Sequence, residues 1–143
     1  MKVGGDGDPS SQLRHKDHTY TWFNSDVTTN GGDEGTANGG DCVDDDNCDT
    51  EKFVAAVNAA GLCGAADWRM PTRRELVSIV HNGRTSPAID TDWFPNTPST
   101  WFWSSSPYAS NSLDAWYVGF DFGNVLWDSK SHDYRVRLVR AGQ

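Results

Sequence analysis

The spacing of hydrophobic and polar positions changes period three times along this chain. His18–Asn24 (HTYTWFN) alternates β-branched and aromatic residues between turn formers, which predicts a short strand. Ser25–Asp46 is poor in apolar residues and rich in Gly, Asp, Asn and Thr, a long surface loop. Phe53, Val54 and Val57 then recur at helical spacing. Asp49 stands ready as N-cap, Thr50 and Glu51 fall in the first turn, and Gly61 supplies a stop, so a first helix is predicted over about 50–60. A second helix is expected from Pro71, with Leu76, Ile79 and Val80 on one face, ending at Asn82-Gly83.

Beyond that point the helical period is lost. Residues 84–100 carry three prolines and four threonines, the composition of a long ordered loop. Strand-like stretches follow at Trp101–Ser104, Ala115–Phe122, Val125–Trp127 and Arg135–Arg140, with a hairpin turn expected at Gly123-Asn124. Within the second stretch Trp116, Val118 and Phe120 alternate with Tyr117, Gly119 and Asp121. One face is therefore expected to meet a core and the other solvent or a ligand. Strand, two helices, then a small antiparallel sheet with long loops is an α+β arrangement. Arg135, Arg137 and Arg140 are expected to anchor the last strand to the acidic loops.

A length of 143 residues fits one domain able to bury a core. The organisation expected is a flexible segment over 1–14 followed by a domain over 15–143. Twelve basic against 20 acidic residues give a formal charge of −8, which speaks against nucleic acid as partner, because phosphate-backbone binding needs clustered Lys and Arg. No run approaches the roughly 18–20 apolar residues of a membrane span, and Met1–Pro9 lacks the apolar core of a signal peptide.

Three cysteines, at 42, 48 and 63, cannot all pair within one chain. Cys48 and Cys63 flank the first helix, whose ends lie roughly 16 Å apart at about 1.5 Å per residue, beyond the roughly 7 Å limit for a bridge. The expectation is a Cys42–Cys48 disulfide with Cys63 packed behind the helix; three reduced, buried thiols are the alternative in a reducing compartment.

Asp41, Asp44, Asp45, Asp46 and Asp49 would suit a hard cation such as calcium. Their spacing does not match an EF-hand loop, and carboxylates beside a helix N-terminus also offset its dipole. A solvated loop is the favoured reading and no cofactor is expected. The histidines at 15, 18, 81 and 132 form no metal-binding spacing, and neither a nucleophile elbow nor a phosphate loop is present. An enzyme is not indicated.

Ala55–Gly64 with Asp67–Pro71 (AAVNAAGLCG, DWRMP), Trp101–Pro107 (WFWSSSP), and Ala115–Val118 with Arg135–Arg140 (AWYV, RVRLVR) together resemble the C-terminal domain family of the collagen-like Lcl adhesins. The resemblance covers about residues 15–140 and implies a C-type-lectin-like fold. Formylglycine-generating enzymes share that fold but need a C-terminal cysteine pair; nothing after Cys63 is a cysteine, so that activity is excluded. The glutamate-proline-asparagine motif of calcium-dependent sugar binding is also absent.

More narrowly, the chain is similar to family members that serve as variable proteins of diversity-generating retroelements. There, error-prone copying at template adenines turns Asn codons into a restricted menu of residues near the 3′ end of the gene. Leu113, Asp114, Tyr117, Gly119, Asp121, Leu126, Asp128, Ser129, Ser131, His132, Asp133 and Tyr134 all belong to that menu, and Asn111 and Asn124 would be unmutated template codons. The resemblance implies a ligand-binding surface over 110–134 on a fixed scaffold.

Its expected partner is a protein or glycan on a cell or particle surface, which would place the protein on a cell surface, outside the cell or on a virion. A constant adhesin domain binding surface polysaccharide and an assembly module of an envelope or virion are the alternatives. Oligomeric state is left open.

Overall fold

The computed structural model describes residues 12–43 and 47–142. The chain runs through β1 (Tyr20–Thr21), helix α1 (Thr50–Ala59), helix α2 (Arg73–Val77), β2 (Trp101–Pro107), β3 (Asp114–Gly119), β4 (Asn124–Ser129) and β5 (Asp133–Tyr134). β2, β3 and β4 form an antiparallel three-stranded sheet in that order, and β1 pairs antiparallel with β5. The α+β reading holds. Most of the segment expected to be flexible, and Asp44–Asp46 of the acidic cluster, lie outside the described residues.

Helix α1 forms where its sequence signals lie. The Asp49 carboxylate accepts the Lys52 N–H at 2.9 Å, capping the first turn, and Phe53 and Val57 bury one face. Both halves of the Thr50 hydroxyl are used, donating to the Phe23 carbonyl and accepting its N–H, which fixes the helix to the chain leaving β1.

Helix α2 is shorter than the expected 71–82. Thr72 rather than Pro71 starts it, through a reciprocal capping box with Glu75. It stops at Val77 because Val80 bridges to Ile89 and the His81 N–H is taken by the Ala88 carbonyl. Ile79 and Val80 reach their core from a turn, so the apolar period outlasts the helix.

The predicted strand over Arg135–Arg140 does not form. Its backbone bonds are divided: Arg135 bridges in parallel to Phe102, and Val139 exchanges both hydrogen bonds with Arg69 at 2.9 Å. The short strand lies instead at Asp133–Tyr134, inside the stretch that looked patternless. The expected two-residue turn is also displaced. Phe120–Gly123 form the turn and Asn124 opens β4; the left-handed φ of 81° at Gly123 is what a glycine permits there.

Three apolar clusters make the core. Tyr20, Cys48, Phe53, Val57, Ala65, Trp68 and Leu138 pack between α1 and the terminal segment. Trp22, Trp103, Ala115, Tyr117 and Tyr134 cover one face of the sheet, and Leu76, Ile89, Phe102, Val118 and Phe120 cover the other. The sheet is therefore packed on both sides, unlike the one-sided arrangement its alternation implied. Tyr117 and Gly119 are buried, whereas Trp116 is only half-buried. The cause is tertiary: β5 lays Tyr134 across the face that a lone hairpin would leave to water.

Cys42 and Cys48 are bridged, with Cα atoms 5.7 Å apart. Cys63 is exposed, not packed behind the helix, because the chain turns outward after Gly61 and both residues adopt left-handed backbone. The terminal arginines anchor in three ways. Arg135 donates to the Lys16 carbonyl at 3.0 Å and lies 3.6 Å from Asp17, while Arg140 lies 3.5 Å from Asp67. Arg137 meets no acid among the described residues. It donates to the Thr97 hydroxyl at 2.6 Å and sits over the Phe94 and Phe102 rings, and burial lowers its pKa to about 9.

Candidate functional site

Alternation along β2, β3 and β4 decides which side chains share a face. Tyr117 stands opposite Trp103 on one side and Leu126 on the other; Gly119 stands between Trp101 and Asn124, and Ala115 opposite Asp128. Trp101, Tyr117, Gly119, Asn124, Leu126 and Asp128 therefore project from the same side of the sheet. Tyr134 joins them from β5, its ring centroid 5.3 Å from Trp101, 4.5 Å from Trp103 and 5.2 Å from Tyr117. The tyrosines form an aromatic floor, 7% and 8% exposed respectively. Above it stand Trp101 and Leu126, each 40% exposed.

Gly119 matters by what it lacks. A Cβ there would lie 2.5 Å from the Asp121 carboxylate, 2.6 Å from the Asn124 amide oxygen and 3.1 Å from the Trp101 ring. Positions 119, 121 and 124 thus converge on Trp101, and any residue other than glycine must push these side-chain ends outward.

One polar group organises the other end of the face. Oδ2 of Asp128 accepts the Tyr134 hydroxyl at 2.5 Å and lies 2.9 Å from Nδ1 of His132. Burial would raise the Asp128 pKa, but the Tyr134 and His132 hydrogen bonds outweigh it and hold the carboxyl below its usual range. Burial and then the neighbouring carboxylate push the Tyr134 phenol well up, and the same causes raise Tyr117.

The remaining predicted residues do not all share this face. Asp114 stands opposite Ser129, and by alternation both belong to the other side of the sheet. Asn111 accepts the Leu113 N–H and donates to Asp114, shaping the exposed loop before β3. Ser129 and Ser131 are linked by their hydroxyls at 2.8 Å. Asp133 accepts the Thr19 hydroxyl at 2.6 Å, on the β1 side.

Three features escaped the sequence reading. Trp101 is the exposed centre of the face; its in-phase spacing with Trp103 was the available signal. Trp127 lies parallel to Tyr108, centroids 4.5 Å apart, next to Trp116, which carries the Arg73 guanidinium at 4.3 Å. This aromatic ledge is on the opposite side of the sheet. Lys130 interrupts the polar run as a buried residue, 2% exposed. Its ammonium donates to the carbonyls of Asn30 at 3.0 Å, Asp33 at 2.7 Å and Ser112 at 2.6 Å, over the Trp22 ring. No local pattern marks it, since its acceptors are backbone atoms of distant loops.

Among the described residues no group of three or more His, Cys, Asp or Glu side chains is placed to hold a metal ion, and no helix is long and apolar enough to cross a membrane.

With this geometry in place the class is that of a small α+β domain presenting an aromatic-floored face. The chain belongs to the Lcl C-terminal domain family, whose description matches residues 10–140. Membership of that family points to a ligand-binding, adhesin-like module. Neither a curated protein nor a solved structure matches the chain.

Proposed function

We propose that this domain is a non-enzymatic recognition module on a C-type-lectin-like scaffold, the variable protein of a diversity-generating retroelement. The face around Trp101 is the surface it presents to a protein or glycan on another cell or particle. The observation that carries the reading is the interleaving of substitutable and fixed positions. Leu126, Asp128, His132, Asn124 and Asp121, all on the Asn-codon menu, surround one aromatic floor. Trp116, Val118 and Phe120, which alternate with Tyr117, Gly119 and Asp121, and Lys130, which stands between Ser129 and Ser131, are held in packing or hydrogen bonds. Lysine and tryptophan cannot arise from codons ending in a pyrimidine, so two of these anchors also stand outside the menu. Aromatic side chains give such a surface large contact area at low entropic cost.

Deep sequencing of the gene's 3′ end in a natural population tests this, with codons 66–80 as control for codons 110–134. Substitutions concentrated at the named positions, confined to template adenines and sparing Lys130, are expected. A uniform 3′ end overturns the reading. It would favour a constant adhesin domain binding surface polysaccharide, for which the half-exposed Trp127–Tyr108 stack beside Arg73 supplies a sugar-stacking surface.

A further inference from the structure

Polar contacts from well-separated parts of the chain converge on Lys130. Its three ammonium protons meet three carbonyls, from residues 100, 97 and 18 positions earlier in the chain. Its own backbone is engaged as well: the N–H donates to the Leu113 carbonyl at 2.9 Å and the carbonyl accepts the Trp22 N–H at 3.2 Å. A buried ammonium needs a full set of acceptors, and here the count matches without a carboxylate. None of these five hydrogen-bond partners is a functional group of a side chain, so the hydrogen bonds themselves do not depend on the chemistry of the side chains at Asn30, Asp33, Ser112 or Leu113.

We infer that Lys130 is the positioning residue of the recognition surface: it nails the β4–β5 loop to the 30–33 and 112–113 segments, which lets Ser129, Ser131, His132 and Asp133 change without moving the backbone that carries them. The neighbours of Lys130 are exposed or half-exposed, whereas Lys130 itself is buried. A loop with one internal post can be rewritten everywhere else. This rests on the recognition reading for its purpose, though not for its geometry.

The experiment randomises positions 129, 131, 132 and 133 together, displays the full chain on yeast and counts clones that resist protease. Three backgrounds are compared: the parent, Lys130→Met, which keeps the bulk and removes the ammonium, and Val57→Ala, a core truncation far from the loop. The expected result is a fall in resistant clones at least tenfold larger in Lys130→Met than in Val57→Ala, once each is normalised to its own unrandomised parent. Equal falls would reduce Lys130 to one more contributor to general stability and overturn the inference.

Should Lys130→Met not fold, the parent protein is decisive by NMR. A caged ammonium gives a slowly exchanging Nζ resonance with hydrogen-bond couplings to the carbonyl carbons of Asn30, Asp33 and Ser112; a fast-exchanging, uncoupled Nζ overturns it. A uniform gene 3′ end alongside the tenfold difference would discard the recognition reading and leave the post in place.

Discussion

Replacing Tyr117 by alanine separates a packed floor from a freely substitutable surface. The ring is almost wholly buried among Trp101, Trp103 and Tyr134, at centroid distances of 5.8, 6.3 and 5.2 Å. Truncating a buried aromatic ring costs about 3–5 kcal/mol, the lost transfer free energy and the residual cavity together. Tyr117 lies at the rim of its cluster, where neighbouring rings can partly collapse, so the lower end, about 3 kcal/mol, is expected. For a domain of this size that lowers Tm by about 9–12 °C. Tyr117→Phe removes only a hydroxyl that has no hydrogen-bond partner among the described residues and should change stability by about 0.5 kcal/mol or less. Leu126→Ser, opposite it on β4 and far more exposed, should cost about 1 kcal/mol or less. Urea unfolding of the four proteins, with slopes checked for equality, measures these differences. A Tyr117→Ala cost below about 1 kcal/mol would refute the packed floor. The consequence for recognition is specific: natural variants should keep large, mostly aromatic residues at 117 and 134 while ranging widely at 126 and 132.

Two further outcomes follow from the scaffold. The Arg69 guanidinium and the Thr72 backbone hold the Glu75 carboxyl down at about 2, from an ordinary value of 4.5, so its stabilisation is complete above pH 4.5 and disappears as pH falls through about 2. Because both partners are well exposed, the parent should lose only about 0.5–1 kcal/mol more than Glu75→Gln between pH 5 and pH 2 in parallel melts, and identical pH profiles would show that the pair contributes nothing. Reducing the Cys42–Cys48 bridge, which closes a loop across a sequence separation of 6, should cost about 2 kcal/mol, or about 6–8 °C in Tm, with Cys63 as an internal thiol control; an unchanged melting curve would place the constraint elsewhere.

Local chemistry, legible in the chain itself, settled the elements with short-range causes. The Asp49 cap, the i, i+4 pair Phe53 and Val57 and the Gly61 stop define α1 almost to the residue. A close pair of cysteines on one side of a helix leaves little choice of disulfide, and the alternation after Trp101 marks the antiparallel strands. The candidate residues were legible as a stretch, because a polar menu interrupting an aromatic pattern stands out along the sequence.

Their arrangement was not legible, because it depends on partners far away in the chain. Tyr117 looked exposed until β5 brought Tyr134 over it, and helix α2 looked longer until Ile89 claimed Val80. Cys63 was expected inside and stands outside, since left-handed backbone at Gly61 and at Cys63 itself redirects the chain. Lys130 shows the limit most clearly: a lysine between two serines reads as solvent-exposed, and only backbone carbonyls from two remote loops make it the buried centre of the site. Side-chain periodicity reports which residues can share a face; which faces become surface is decided by what the rest of the chain lays across them.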